Sequence, residues 1–297
     1  MKGLITKGIA GFYYVDTEKG LFQCKARGIF KNEGITPCVG DYVDMEITDE
    51  LDDEGVINDI FPRKNIFIRP PVSNIDLFVL VISLKDPEPN TEIIDKFLVT
   101  AEQAEVKTII CINKEDLLDD EPKDIKSLLD EKANELLSIY EPLYKTIATS
   151  AKTLSGLDCL KEVMKGQKSA LIGPSGVGKS TIINAIDERL NLETGDISKK
   201  TKRGKHTTKH VEIFETDFGA LVFDTPGFTS FEVKNDQEDL RLDYLFLDFR
   251  PYLGKCKFAD CRHIKEPGCA VRDAVNKKEI AESRYKSYLK IGEEWYD

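Results

Sequence analysis

The pattern of apolar and polar positions changes character twice along the 297 residues. Through residues 1–69 it alternates over short runs at 11–15, 21–26, 42–47 and 55–60. Turn-forming residues separate the runs: Lys19-Gly20, Lys31-Asn32-Glu33-Gly34 and Val39-Gly40-Asp41. Strands of this number and length predict a small all-β barrel of the oligonucleotide-binding (OB) type. Such a barrel either binds nucleic acid or only packs against its neighbour, and the pattern leaves both open. Residues 62–71 read as a connector with a stiff end at Arg69-Pro70-Pro71.

From residue 70 the period changes. Residues 75–83 (IDLFVLVIS) are almost continuously apolar, as a strand buried on both faces requires. Ile93, Ile94, Phe97, Leu98 and Ala101 then fall at helical spacing. A strand at 106–112, a helix at 125–137, strands at 144–148 and 168–172, and a helix at 179–186 continue the alternation. Alternating strands and helices predict a parallel, doubly wound α/β sheet over residues 70–231. A hairpin of 211–214 with 220–223, turned at Asp217-Phe218-Gly219, would complete it. Residues 232–297 are charged and aromatic, with helical character at 279–294, and predict a third, α-rich unit.

Composition adds limits. Hydrophobic residues make up 41% and charged residues 32%, enough apolar material for real cores. No run approaches the ~20 apolar residues of a membrane span. The N-terminus lacks an apolar signal core. The expectation is a cytoplasmic monomer with no membrane partner and with reduced cysteines. The net charge of −11 argues against a nucleic-acid partner, but base concentrates at 199–209 and 255–265. A local basic face can bind phosphate on an acidic protein.

Gly173-Pro174-Ser175-Gly176-Val177-Gly178-Lys179-Ser180 fits the phosphate-loop pattern G-x-x-x-x-G-K-[ST], with Thr181 next. Glycines let backbone N–H groups converge on phosphate oxygens, and the following helix points its positive end at them. Lys179 would reach the β- and γ-phosphates, and Ser180 would hold Mg²⁺. A strand before the loop and a helix after it argue against an ordinary glycine turn.

The base is read elsewhere. Asn113-Lys114-Glu115-Asp116 follows a buried strand, where ligands collect in open α/β sheets. The Asp116 carboxylate can accept guanine N1–H and the 2-amino group, a donor pair that adenine lacks. Asn113 would tie this loop to the phosphate loop, and the Lys114 stem can lie along the base. Thr149-Ser150-Ala151-Lys152 follows the next strand and would offer a backbone N–H to guanine O6. Asp224-Thr225-Pro226-Gly227 ends the apolar run 220–223. Asp224 would reach Mg²⁺ through water, and the Gly227 N–H would sense the γ-phosphate. Residues 198–210, basic and glycine-containing, stand where a GTPase keeps its first switch, with Thr207 and Thr208 as candidate Mg²⁺ ligands. Many GTPases place a glutamine after Asp-x-x-Gly to orient water. Phe228 stands there and cannot do so. His206 is the candidate substitute, and a contact to RNA phosphate is its rival role.

Cys256, Cys261, His263 and Cys269 give C-x4-C-x-H-x5-C, three thiolates and one imidazole. That is a complete tetrahedral zinc set with no open position, so a structural ion is expected. Cys24, Cys38, Cys111 and Cys159 are scattered and read as small hydrophobes.

In chain order the guanine-reading turns precede the phosphate loop, the reverse of ordinary GTPases. Residues far apart in sequence can still meet in one pocket. A permuted GTPase with an N-terminal β-barrel and a C-terminal Cys/His cluster resembles the bacterial ribosome small-subunit-dependent GTPase A family over nearly the whole chain. The phosphate loop, Gly204-Lys205-His206-Thr207-Thr208 and Asp224-Thr225-Pro226-Gly227-Phe228 carry that resemblance. It implies an OB-type barrel, Thr208 as the switch ligand of Mg²⁺, a zinc site at the Cys/His motif, and GTP hydrolysis to GDP and phosphate stimulated by the small ribosomal subunit. It also implies rRNA contact and a late role in subunit maturation. Three other readings compete: a permuted GTPase of large-subunit assembly, a nucleotide-gated RNA-binding module with incidental hydrolysis, and an ATPase. Permutation also makes 224–228 the last GTPase element before the C-terminal unit. Nucleotide state is therefore expected to reposition that unit.

Overall fold

Five N-terminal strands close on themselves. In the computed structural model, which describes residues 1–28, 30, 34–118, 122–190, 211–224, 232–233 and 240–296, these are β1 (Lys2–Ile9), β2 (Phe12–Thr17), β3 (Gly20–Ala26), β4 (Tyr42–Asp49) and β5 (Glu54–Ile60). They pair in the order β1-β2-β3-β5-β4, and β4 returns to β1. Inward positions at two-residue spacing fill the barrel: Val15, Phe22 with Cys24, and Val43 with Met45 are all buried. β1 escapes the alternation rule. Leu4 and Ile5 are neighbours and both buried, and the register against β2 slips between Ile5 and Lys7. Leu4 and Ile5 pair in register with Asp16 and Val15, so they point to opposite faces; Ile5 joins the barrel core, and Leu4 is covered on the other face.

The segment expected to be a plain connector contains β6 (Ile66–Arg69). It pairs with β7 (Val72–Ser73) and with β14 (Glu232–Val233) in a separate small sheet. Phe67 of β6 is buried against Phe78, their ring centroids 5.5 Å apart. Burying that ring gives the segment a reason to be a strand instead of a solvated link.

The α/β sheet runs β10 (Lys145–Ala148), β9 (Lys107–Asn113), β8 (Leu77–Ser83), β11 (Lys168–Ile172), β13 (Leu221–Asp224), all parallel, with β12 (Glu212–Glu215) antiparallel at the end. Every residue of β8 is buried, and its two faces feed different cores. Phe78, Leu80 and Ile82 pack with Ile94, Phe97 and Leu98 of α1 (Thr91–Gln103) and with Leu136 and Tyr140 of α2 (Lys123–Tyr140). Leu77, Val79 and Val81 pack with α3 (Leu157–Met164) and with Ile182, Ile183 and Ile186 of α4 (Lys179–Ile186). Barrel and sheet meet where β1 pairs β12 at Lys7 and Glu212, whose side chains form a 2.7 Å ion pair. No helix among the described residues is long and apolar enough to cross a membrane.

The C-terminal unit contains α5 (Ala270–Asn276) and α6 (Glu282–Trp295). It packs on the outer face of α1. Arg284 of α6 is 1% exposed and donates to Asp95 of α1 at 2.6 Å and to Asp248 at 2.8 Å. The Tyr140 hydroxyl donates to the same Asp95 oxygen at 2.9 Å. Exposed pairs Lys290–Glu92 and Lys96–Glu294 flank this buried core.

Candidate functional site: a nucleotide pocket and a metal cluster

β11 ends at Ile172 and α4 begins at Lys179, so residues 173–178 turn the chain at the C-terminal end of the sheet. Two glycines are forced by close approach as well as by φ. A Cβ on Gly173 (φ +133°) would sit 2.2 Å from the Val81 carbonyl oxygen. One on Gly178 (φ +97°) would sit 2.4 Å from Asn113 Nδ2. Val177 is buried in the core beside α4 and anchors the loop. The Lys179 ammonium donates to the Gly173 and Pro174 carbonyls, each at 2.7 Å. Its burial lowers its pKa to about 8.

Asn113 at the end of β9 joins three loops. Its Nδ2 donates to the Val177 carbonyl at 2.9 Å, while its Oδ1 accepts from the Thr149 hydroxyl and the Ala151 N–H, both at 3.3 Å. Asp116 is held from two sides: the Ser150 hydroxyl donates to Oδ1 at 2.6 Å, and Lys152 Nζ lies 3.6 Å from Oδ2. The Lys114 ammonium donates to the Asp86 carbonyl. Phosphate loop, Asn113–Asp116 turn and Ser150–Lys152 turn are therefore tied together at one end of the sheet.

β13 lies beside β11 with Phe223 opposite Ala170, so Asp224 leaves the sheet at the same end as the phosphate loop. Ser180 and Thr181 stand in the first turn of α4. The switch candidates His206, Thr207 and Thr208, together with Gly227 and Phe228, lie outside the described residues.

Two contributors were not assigned roles from the motifs. Thr149 is fully buried and steadies Asn113, also lying 3.1 Å from Cys111 Sγ. The sequence placed it at the head of the Thr149–Lys152 turn without giving it a role of its own. The turn at Asp86-Pro87 also borders the pocket. The Ser83 hydroxyl donates to the Pro87 carbonyl at 2.8 Å, and Pro87 Cδ lies 3.7 Å from where a Gly176 Cβ would stand. The sequence Asp-Pro-Glu-Pro-Asn after a buried strand marks a turn at the ligand-binding end of the sheet.

The metal candidates also assemble. One ligand atom from each of Cys256, Cys261, His263 and Cys269 falls within 4.8 Å of the others. His263 Nδ1 is 3.3 Å from Cys269 Sγ and 3.6 Å from Cys256 Sγ. Tetrahedral zinc bonds of about 2.0–2.3 Å require ligand spacings of just this order. The cluster is thus compact and chemically suited to one structural zinc ion. The loop between its ligands is organised by Glu266, whose carboxylate accepts the N–H groups of Arg262, Ile264 and Lys265 at 2.9–3.0 Å. Burial opposes ionisation there, but these N–H bonds outweigh it and hold the Glu266 pKa at about 2. Of the four scattered cysteines, Cys24, Cys38 and Cys111 are buried as expected of small hydrophobes, whereas Cys159 is exposed. It sits on the solvent side of α3, whose Leu157, Leu160 and Met164 face the core.

The Asn113–Asp116 and Ser150–Lys152 turns leave β9 and β10, and the phosphate loop follows only after β11, yet all three share one end of a parallel sheet. Together they define a circularly permuted P-loop GTPase. The chain belongs to the RsgA GTPase family, whose profile matches residues 60–234, with the RsgA N-terminal domain matched at residues 2–57. A relative from Alkaliphilus metalliredigens is 44% identical, covering 98% of this chain and 97% of its own. One from Caldanaerobacter subterraneus is 42% identical, covering 98% and 94%. Both are named small ribosomal subunit biogenesis GTPase RsgA. The crystal structure of YjeQ from Thermotoga maritima is similar with a TM-score of 0.80 and 39% identity, over 99% of this chain and 97% of that one. YloQ, described as a circularly permuted GTPase, gives 0.78 and 37% over 99% and 94%.

Proposed function

We propose that this GTPase binds the small ribosomal subunit through its rRNA and acts late in that subunit's maturation, with hydrolysis accelerated by the subunit. The observation that carries the nucleotide part is Asn113, which hydrogen-bonds the phosphate loop and the Ser150–Lys152 turn at once. The ribosomal part draws on the names of the relatives. The barrel (1–69), the permuted GTPase domain (70–231) and the zinc module (232–297) act as a monomer in the cytoplasm, with no membrane partner. Phosphate contacts by the barrel, the basic switch loop and the zinc module weaken with salt.

In this reading Asp116 accepts the guanine N–H donors, Ala151 donates its N–H to O6, and Asn113, Lys114, Ser150 and Lys152 hold those groups in place. Gly173, Pro174, Ser175, Gly176, Val177, Gly178 and Thr181 cradle the phosphates, and Lys179 neutralises the β- and γ-oxygens. Ser180, Thr208 and Asp224 hold Mg²⁺, which when bound offsets the charge on the phosphates. The Gly227 N–H contacts the γ-phosphate, and His206 orients the attacking water where Phe228 cannot. The test is GTP turnover with and without purified small subunits. A clear rise is expected, and unchanged turnover overturns the reading. His206→Ala should lower stimulated turnover at normal GTP affinity; wild-type turnover in that variant removes His206 from the mechanism.

A further inference from the structure

The Cys/His motif accounts for one nitrogen of His263, and the other has a partner of its own. Nδ1 faces the thiols of Cys269 and Cys256. Nε2, on the far side of the ring, lies 3.0 Å from Oδ2 of Asp243. Both side chains are 1% exposed. Asp243 belongs to a short 3-10 turn, Leu242–Leu245, and stands 20 residues before the histidine. Arg241 grips it in turn. Its Nε donates to Asp243 Oδ1 at 3.1 Å and its Nη2 to Oδ2, while Nη2 also donates to the backbone carbonyl of Cys261 at 3.2 Å. One guanidinium therefore spans the carboxylate and the backbone of a zinc-site cysteine. The histidine itself is held in an unfavourable conformation, with φ at +62°. The Tyr285 hydroxyl donates to its carbonyl at 2.7 Å, and the Tyr288 hydroxyl donates to the Arg262 carbonyl at 2.8 Å.

We propose that Asp243 is the outer-sphere positioning residue of the zinc centre, fixing the His263 proton on Nε2 and leaving Nδ1 as the ligating nitrogen, with Arg241 holding Asp243 in that role. A neutral imidazole carries one proton. A buried carboxylate, which can only accept, places that proton on the nitrogen facing it. The opposite nitrogen is then a lone pair aimed at the three sulfurs, and the hydrogen bond fixes the ring's orientation toward them. The rival role is purely structural: Asp243 as the salt-bridge partner of Arg241, without influence on the metal.

The full-length protein loaded with zinc separates the two. Release of zinc to a chromogenic chelator should be about 10- to 100-fold faster in Asp243→Leu than in the wild type. Asp243→Asn, which can still accept from Nε2–H but carries no charge, should fall between them. The cobalt-substituted Asp243→Leu protein should show shifted visible bands, because the imidazole orientation changes. Wild-type release with wild-type cobalt bands overturns the proposal. So does faster release with unchanged bands and a thermal destabilisation matched by Arg241→Met, the signature of a structural role. Should Asp243→Leu not fold, Asp243→Asn carries the test: faster release supports the role, and a wild-type rate overturns it. The inference rests on the cluster holding zinc. Wild-type protein that binds no zinc would sink that reading itself, whereas zinc-binding protein indifferent to Asp243 sinks only the positioning role.

Discussion

Two single side chains give the proposed nucleotide site measurable properties. Burial lowers the Lys179 pKa to about 8, against an ordinary lysine value of 10.5. Phosphate oxygens favour the charged ammonium, so the value in the GTP complex lies above the value in the free protein. Below about pH 8 both forms are protonated and binding moves no proton. Between about pH 8 and the ordinary lysine range, the free form has lost its proton and the complex keeps it. Binding there takes up as much as one proton, and GTP affinity falls as pH rises. Calorimetry at about pH 9 in buffers of different ionisation heat should register that uptake, and the same titration at about pH 6.5 should not. Asp116 is the proposed reader of the base. Its carboxylate, held by Ser150 and Lys152, would make two charge-assisted bonds to guanine, each worth about 1.5–3 kcal/mol. Asp116→Asn loses both and presents a donor instead. GTP binding should weaken about 10²- to 10⁴-fold, while xanthosine triphosphate, with a carbonyl in place of the 2-amino group, should gain. A competition assay with both nucleotides reads this directly, and unchanged preference would remove Asp116 from base recognition.

Packed elements show where sequence pattern carries and where it stops. β8 was legible because both its faces are buried, which leaves an apolar run with nothing to interrupt it. α4 was legible through the phosphate motif that opens it. β1 was not, since it is buried on both faces at adjacent Leu4 and Ile5 and its register slips just beyond them. α3 and α5, of 8 and 7 residues, are too short to display a helical period. α5 also borrows its cap from the metal cluster, the Cys269 side chain accepting from the Arg272 N–H. The joint between α1 and α6 left no trace at all, because its charges meet across 189 residues. Asp95 and Arg284 read as exposed helix residues in sequence, yet they are 0% and 1% exposed. Burying ions is tolerable only when each is paired. Removing the guanidinium in Arg284→Leu leaves the buried Asp95 without a cation, only with hydroxyl donors such as Tyr140, and unpairs Asp248, at a cost of about 3–5 kcal/mol. Thermal unfolding followed by the near-ultraviolet signal should show a lowered transition. Asp95→Leu/Arg284→Leu should recover part of the loss, since no charge is then buried alone at that position. Equal stability of Arg284→Leu and wild type would mean the pair is not buried in solution.

Across the whole molecule, the permuted order and the α1–α6 joint give nucleotide state two connections to the zinc module. One is covalent, since the chain leaves Asp224 and enters the C-terminal unit. The other runs through α1. The helix starts at its cap Asn90, just after the Asp86-Pro87 turn that accepts the Lys114 ammonium and borders Gly176. A shift of the phosphate loop or of Lys114 should therefore be felt at the start of the helix that carries the module. Because Asp95 and Arg284 lock α6 to α1, the module should ride with α1 and not slide over it. That distinction is measurable with spin labels once exposed Cys159 is changed to serine. A label pair at Leu51 of the barrel, 95% exposed, and Lys286 of α6 should change separation between GTP-analogue and GDP forms. A pair at Ile93 of α1 and Lys286 should not. Movement in the second pair would place the hinge at the α1–α6 joint. Identical distances in both pairs would mean that nucleotide state does not reposition the module, and the permuted order would then have no mechanical consequence for it.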